Sequence, residues 1–322
     1  MHPLLEPAAA PQDTLYTDVL AGLQKRPATI PSKYLYDRRG AMLFSQICDL
    51  EEYYPTRTEL ALTHRHAEDL ANRLGARRVL AELGTGDGRK THILLRHLHD
   101  LAAFIPIDIS AKQLQRSAHQ LRQAFPCLEV MPLCVDYTSA WTLPDVGGDE
   151  GKVFYFPGST IGNFDPHQAR QFLRRLSVKA GAKGNLIIGV DLRKPRSVVE
   201  AAYNDSLGVT AAFNLNLLRR INRECHANFD LASFRHHALY QPEYGRIEMR
   251  LVSRCSQQVE FPTQTVEFSR GEFIVTEHSY KFRIEDFARL SEEAGWRTRA
   301  IWTDDDQLFS LWYLQSFTPR DE

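Results

Sequence analysis

Three glycines at alternate positions, Gly84-Thr85-Gly86-Asp87-Gly88, close a short apolar run that starts at Val79 and carries an acid, Glu82, just before the turn. Helical periodicity resumes after Lys90-Thr91. Strand, tight turn and helix in that order bring the backbone close to a ligand, because glycine tolerates positive φ and has no Cβ. The first N–H groups of the helix are also unpaired. A dinucleotide fingerprint needs G-x-G-x-x-G to aim a helix at a pyrophosphate. The spacing here is G-x-G-x-G, with no diphosphate signature behind it. The turn points to a nucleoside carrying a sulfonium amino acid, S-adenosylmethionine, although glycine-rich turns are common and this one alone leaves the matter open.

Further polar residues stand where runs of apolar residues end. Asp108 closes the run 102–108, at the distance from the turn where an acid accepts hydrogen bonds from ribose hydroxyls. Asp136-Tyr137 follows the run 128–133 and suits contact with an adenine ring; a loop acid or helix cap is the alternative for Asp136. The run 153–156 exits into Gly158-Ser-Thr-Ile-Gly-Asn163, whose best donor and acceptor is Asn163. Later, Glu277 and Ser279 share one face of an alternating stretch and His278 takes the other. That pair could clamp a polar ligand or line a solvated strand face. Tyr36, Phe44 and Tyr53 lie in an arm rich in tyrosine, where they either anchor the arm or line a pocket with an apolar body and a polar tip.

These residues need elements to hold them. A helix is expected from Thr14 to about Lys25, another over 58–74, and strands at 79–83, 102–108, 128–133, 153–156 and 186–190. Helices alternate with the strands, one begun by a Ser110 cap and one by an Asp165 cap with Pro166 at its first position. A doubly wound sheet of order 3-2-1-4-5 places ligands at the carboxyl ends of strands 1 and 4. Near Lys194-Pro195 the rhythm stops. Helical residues 197–223 and period-two segments within 246–282 predict an inserted α+β module. A helix over 284–295 and a hairpin of 297–303 with 307–316 end the chain. The fold class is α/β, with the antiparallel C-terminal hairpin of class I, Rossmann-like methyltransferases.

Composition narrows the rest. With 43% hydrophobic residues, 25% charged and a net charge of −1, the 322 residues suit two globular modules. A nucleic-acid partner would bring a basic excess. No run approaches the roughly 18 apolar residues that span a bilayer, and the first residues lack a signal peptide's features. Five scattered cysteines without C-x-x-C spacing fit a reduced, cytoplasmic protein. The histidine pairs lack ligand spacing, so no metal is expected. A monomer is expected.

Several longer runs together resemble one family, the histidine-specific, S-adenosylmethionine-dependent Nα-methyltransferases of ergothioneine biosynthesis. They are Lys33-Tyr-Leu-Tyr-Asp37, Glu52-Tyr-Tyr-Pro-Thr-Arg-Thr-Glu59, Glu82-Leu-Gly-Thr-Gly86 with Lys90-Thr91, Gly158-Ser-Thr-Ile-Gly-Asn163, Gly208-Val-Thr-Ala-Ala-Phe-Asn214 and Arg246-Ile-Glu-Met249. The resemblance covers the chain from about Thr14 onward. It implies transfer of three methyl groups to the α-amine of L-histidine, giving hercynine. It also implies cofactor contacts from Gly84, Thr85, Gly86, Lys90, Asp108, Asp136 and Tyr137. Substrate amine and carboxylate would meet Tyr53, Asn163 and Tyr203, with Tyr53 and Asn163 the catalytic pair and Tyr36 and Phe44 lining the pocket. Glu277 and Ser279 would take the imidazole beside Met249. On that basis 58–195 with 283–322 form a cofactor domain, 14–57 with 196–282 a substrate domain, and 1–13 a disordered lead-in. The rival readings are the same fold methylating tryptophan or another aromatic amine, a nucleotide-dependent oxidoreductase, and a cofactor-binding regulator. His278 departs from the small apolar residue the family pattern leads one to expect.

Overall fold

Apolar runs separated by amphipathic helices build a parallel sheet covered on both faces. The computed structural model describes residues 12–146 and 151–317 of the chain. In chain order the elements are α1 (Gln12–Leu23), β1 (Ala28–Thr29), α2 (Arg38–Cys48), α3 (Tyr54–Leu74), β2 (Arg78–Leu83), α4 (Arg89–Leu95), β3 (Leu101–Asp108), α5 (Ala111–Ala124), β4 (Leu133–Cys134), β5 (Lys152–Phe156), α6 (Pro166–Ala180) and β6 (Asn185–Asp191). There follow α7 (Arg196–Tyr203), α8 (Val209–Cys225), β7 (Phe234–Gln241), β8 (Arg246–Ser253), β9 (Gln257–Glu260), β10 (Thr265–Phe268), β11 (Phe273–Tyr280), α9 (Ile284–Glu293), β12 (Trp296–Thr303) and β13 (Phe309–Ser316). The described residues fall into two compact units, one of 55–193 with 282–317, the other of 12–54 with 194–281.

The first unit holds a seven-stranded sheet of order β12-β13-β6-β5-β2-β3-β4. Its first five strands in sequence are parallel in the order 3-2-1-4-5, and β13 returns antiparallel to β6. This is the class I methyltransferase sheet. Alternate residues feed opposite cores: Ala81, Phe154 and Ile188 pack with Phe172, Trp296 and Trp312 on one side. Leu80, Phe104 and Ile187 pack with Leu62, Leu70 and Leu94 on the other. Asp165 caps α6 through a full capping box, with Pro166 at the first position.

Three local expectations change. The third strand pairs only at Leu133–Cys134, with a single bridge from Val130 to Phe104, because Pro132 has no N–H to give the ladder. Ser110 sits at the N-cap of α5 but makes no side-chain cap bond; its own N–H donates instead to Asp108 Oδ1 at 2.9 Å. The helix after the glycine turn, expected over 91–99 from its periodicity, spans Arg89–Leu95. At the other end of the chain α1 begins at Gln12, two residues before Thr14, and the remainder of the expected lead-in lies outside the described residues.

The second unit is a four-stranded sheet of order β1-β11-β8-β7, with the separate hairpin β9-β10. Helix α8 lies against β7 and β8, and α2 packs on α8. Asp37 explains that packing: it caps α2 by accepting from Gly40 N–H at 2.8 Å, and it accepts from Asn216 and Arg223 of α8. A Cβ at Gly40 would stand 1.8 Å from the Leu35 carbonyl oxygen, so only glycine permits this helix entry. Among the described residues, no helix is long and apolar enough to cross a membrane.

Candidate active site

In the first unit, the expected cofactor residues gather at the carboxyl ends of the parallel strands. Gly84, Gly86 and Gly88 all take positive φ (76°, 55° and 72°), which a side chain would strain. A Cβ at Gly84 would lie 3.8 Å from the Tyr137 hydroxyl, so that ring borders the turn. Tyr137 is held edge-on to Phe156. Asp108 is held by N–H groups of Gly86, Ile109 and Ser110, yet burial raises its carboxyl above the usual value. Asp136 Oδ1 accepts from Thr138 N–H at 2.9 Å and from the Thr138 hydroxyl. Among the described residues, the buried atoms Glu82 Oε2 and Thr85 Oγ1 find no hydrogen-bond partner. The other Glu82 oxygen accepts from Thr91, and burial pushes the acid up to about 8.

Lys90 has a definite position. Its ammonium is paired with Glu59, which is fully buried on α3 and accepts in turn from Gly158 N–H at 2.9 Å. Glu59 therefore ties the helix after the glycine turn to the segment leading to Asn163. That segment is further fixed by Ser159, which sits at φ 54° and accepts from Asp191 N–H at 2.9 Å. A non-glycine residue in the left-handed region is the kind of strain that clusters at functional sites. Asn163 closes the 3₁₀ turn Thr160–Asn163, and its amide makes no hydrogen bond to another described residue.

In the second unit, the tyrosine arm is part of an aromatic cluster. Tyr36 meets Phe44 at 5.3 Å and Phe213 at 5.5 Å between ring centroids; Phe44 meets Tyr53 at 6.3 Å, and Tyr53 meets Tyr203 at 5.9 Å. Burial, then the neighbouring Tyr203, raise the Tyr53 hydroxyl well above its usual pKa, so it stays protonated. Tyr203, Ser279 and Lys281 form a triangle with every edge 2.9 Å. Glu277 is paired across the ladder with Met249, one position from the β-bulge at Thr276. Burial lifts its carboxyl to about 7, against the pull of Lys281. The bulge is pinned by the Thr276 hydroxyl, which donates to Asn214 Oδ1 at 2.7 Å. Asn214 donates to His236 Nδ1 at 2.9 Å, and His236 Nε2 to the Tyr203 carbonyl at 2.8 Å. His278 lies on the other face beside Glu248, Arg246 and Arg250. The second unit thus brings together Tyr36, Phe44, Tyr53 and Tyr203 through ring contacts, and Glu277, Ser279 and Met249 through β11 and β8. Asn163 belongs to the first unit.

Against known proteins, the model of a family described as histidine-specific, S-adenosylmethionine-dependent methyltransferase matches residues 15–316. The chain belongs to this methyltransferase family. The methyltransferase is 38% identical to a histidine N-alpha-methyltransferase of Mycolicibacterium smegmatis over 93% of this chain and 94% of that one. It is also 38% identical to a histidine N-alpha-methyltransferase of Mycobacterium tuberculosis, covering 92% and 93%. A Neurospora crassa protein called ergothioneine biosynthesis protein 1 is 28% identical over 86% of this chain and 32% of that longer one.

The first unit of the methyltransferase fits S-adenosylmethionine on its own features. The cofactor is cationic at sulfur and amine and carries ribose hydroxyls. The unit offers an open turn of positive-φ glycines, the unpartnered Glu82 and Thr85 atoms, and the acids Asp108 and Asp136. Sequence reading missed Glu59, Phe213, the Asn214–His236 link and Lys281. Only Lys281 left a usable signal, since 277, 279 and 281 continue one period-two face.

Proposed function

We propose that this methyltransferase transfers three methyl groups from S-adenosylmethionine to the α-amino nitrogen of L-histidine, giving hercynine, the opening step of ergothioneine biosynthesis. The observation that carries the choice of acceptor is Glu277, a buried carboxylate with Ser279 on the same strand face and Met249 directly opposite. The names of its relatives in Mycolicibacterium smegmatis and Mycobacterium tuberculosis agree with that choice.

The bound cofactor supplies a methyl group already activated on a sulfonium. The side chains have to present a neutral amine, its lone pair in line with that methyl at about 3–3.5 Å. A free amino acid carries its α-nitrogen as ammonium at neutral pH, and a neighbouring positive charge lowers that group's pKa. Tyr53, held protonated by burial, acts as a hydrogen-bond partner for the amine and not as a phenolate base. Asn163 offers an uncommitted amide for the amine or carboxylate. Tyr203 takes the carboxylate, while Tyr36 and Phe44 wall the pocket; aromatic faces also favour a quaternary ammonium by about 0.5–2 kcal/mol. Glu277 accepts from an imidazole N–H. With Phe or Leu in place of histidine it would be left buried and unpaired, which is the basis of selection. Gly84, Thr85, Gly86, Asp108, Asp136 and Tyr137 hold the cofactor. Lys90 acts mainly through Glu59.

Competition with methyl-labelled cofactor tests the acceptor. Label should pass to histidine in preference to tryptophan, phenylalanine and tyramine. Preferred labelling of tryptophan or an amine would move the protein to the rival acceptor within the same fold.

A further inference from the structure

Three residues on one face of β11 and its continuation, Glu277, Ser279 and Lys281, are each at most 8% exposed. A lysine that deep in a protein is uncommon unless its N–H groups are used. The Lys281 ammonium stands 2.9 Å from the Tyr203 hydroxyl and 2.9 Å from Ser279 Oγ, and it lies 4.8 Å from the centre of the Tyr203 ring. An ammonium has only donors. Both hydroxyl oxygens must therefore accept from it. Along the third edge the more acidic phenol donates to the aliphatic hydroxyl, so Ser279 Oγ accepts a second time. With its oxygen taken twice, the Ser279 proton is left to donate outward.

We propose that Lys281 is a positioning residue that turns Ser279 into an obligate hydrogen-bond donor, so that Glu277 and Ser279 together read a neutral imidazole. The inference rests on the reading of Glu277 and Ser279 as the imidazole contacts. A carboxylate accepting from one ring N–H and a hydroxyl donating to the other nitrogen match one tautomer of neutral imidazole. Imidazolium presents two donors, and indole or pyrrole a single donor with no acceptor. Lys281 opposes imidazolium a second time, through like-charge repulsion, and its charge lowers the Glu277 carboxyl toward the ionised form.

The test compares L-histidine with L-β-(pyrrol-2-yl)alanine, which keeps an N–H and lacks the acceptor nitrogen, in the wild type, Lys281→Met, Ser279→Ala and the double variant. The wild type should favour histidine in kcat/KM by about 10- to 100-fold, the penalty for leaving one buried donor unpaired. Lys281→Met should raise the KM for histidine far more than that for pyrrolylalanine, whose loss comes only through a less ionised Glu277, so the discrimination collapses. In the Ser279→Ala background it should remove no further discrimination. Equal losses for both substrates, with discrimination kept, would mean that Lys281 is merely structural. A wild type that fails to methylate histidine would instead defeat the reading beneath it. Should Lys281→Met not fold, nitrogen-15 NMR of labelled histidine bound to the wild type at about pH 7.5 decides. One protonated and one unprotonated ring nitrogen support the inference; two protonated nitrogens overturn it.

Discussion

Glu277 on β11 and Met249 on β8 face each other in the antiparallel ladder, one residue past the bulge at Thr276. The bulge and its Thr276–Asn214 bond fix where the carboxylate emerges, and Met249, 1% exposed, gives it an apolar neighbour. Removing the carboxylate should therefore affect the acceptor and not the donor. Glu277→Ala is expected to weaken histidine binding on the order of 100-fold and leave S-adenosylmethionine affinity unchanged. Calorimetry with each ligand separately reads both numbers; an unchanged histidine affinity would remove Glu277 from the site.

The same group gives histidine binding a pH dependence. Burial raises Glu277 to about 7, and the ionised form is the stronger acceptor for an imidazole N–H. Affinity should rise as pH increases through that value, and Glu277→Gln should lose this component of the profile. A wild-type affinity flat from about pH 6 to pH 8 would show that Glu277 does not titrate there.

Glu82 provides a matching stability prediction. Its folded pKa of about 8 exceeds the usual 4.5, so between those values the folded chain holds more proton than the unfolded one. Stability from this group is full below about 4.5 and is lost as pH rises through 8. Melting temperatures followed across that window should fall more steeply for the wild type than for Glu82→Gln. Parallel curves would mean that Glu82 carries no excess proton in the folded state.

Lys90 and Glu59 make a buried pair, with the carboxylate side chain wholly inaccessible. Lys90→Met leaves that charge uncompensated, and a cost of about 3–5 kcal/mol is expected in urea unfolding. Adding Glu59→Gln should recover most of it. If the single variant unfolds like the wild type, the pair contributes nothing to holding Gly158.

Asn163→Ala should separate function from stability. Because the amide has no bond to another described residue, stability should change by less than about 0.5 kcal/mol. Histidine affinity and turnover should fall together; normal turnover would leave Asn163 as a loop residue.

What the sequence made legible follows from local physics. Apolar runs, alternate glycines and the Asp165-Pro166 start report the sheet and its ligand-binding edge, because period and backbone freedom are written in neighbouring residues. β7 stayed hidden, since consecutive His236 and His237 break its alternation and α8 supplies its burial. Nothing local marks the role of Glu59, and period two gives only the face of Lys281; their roles come from distant partners, Gly158 in one unit and Tyr203 in the other. The third strand was overread because one proline outweighs several apolar neighbours.

The most direct measurement is the mass of the product when the protein is given L-histidine and excess S-adenosylmethionine. A histidine carrying three additional methyl groups, all on the α-nitrogen by fragmentation, is the expected result. Unmodified histidine, or methylation of a ring nitrogen, would contradict the proposed reaction.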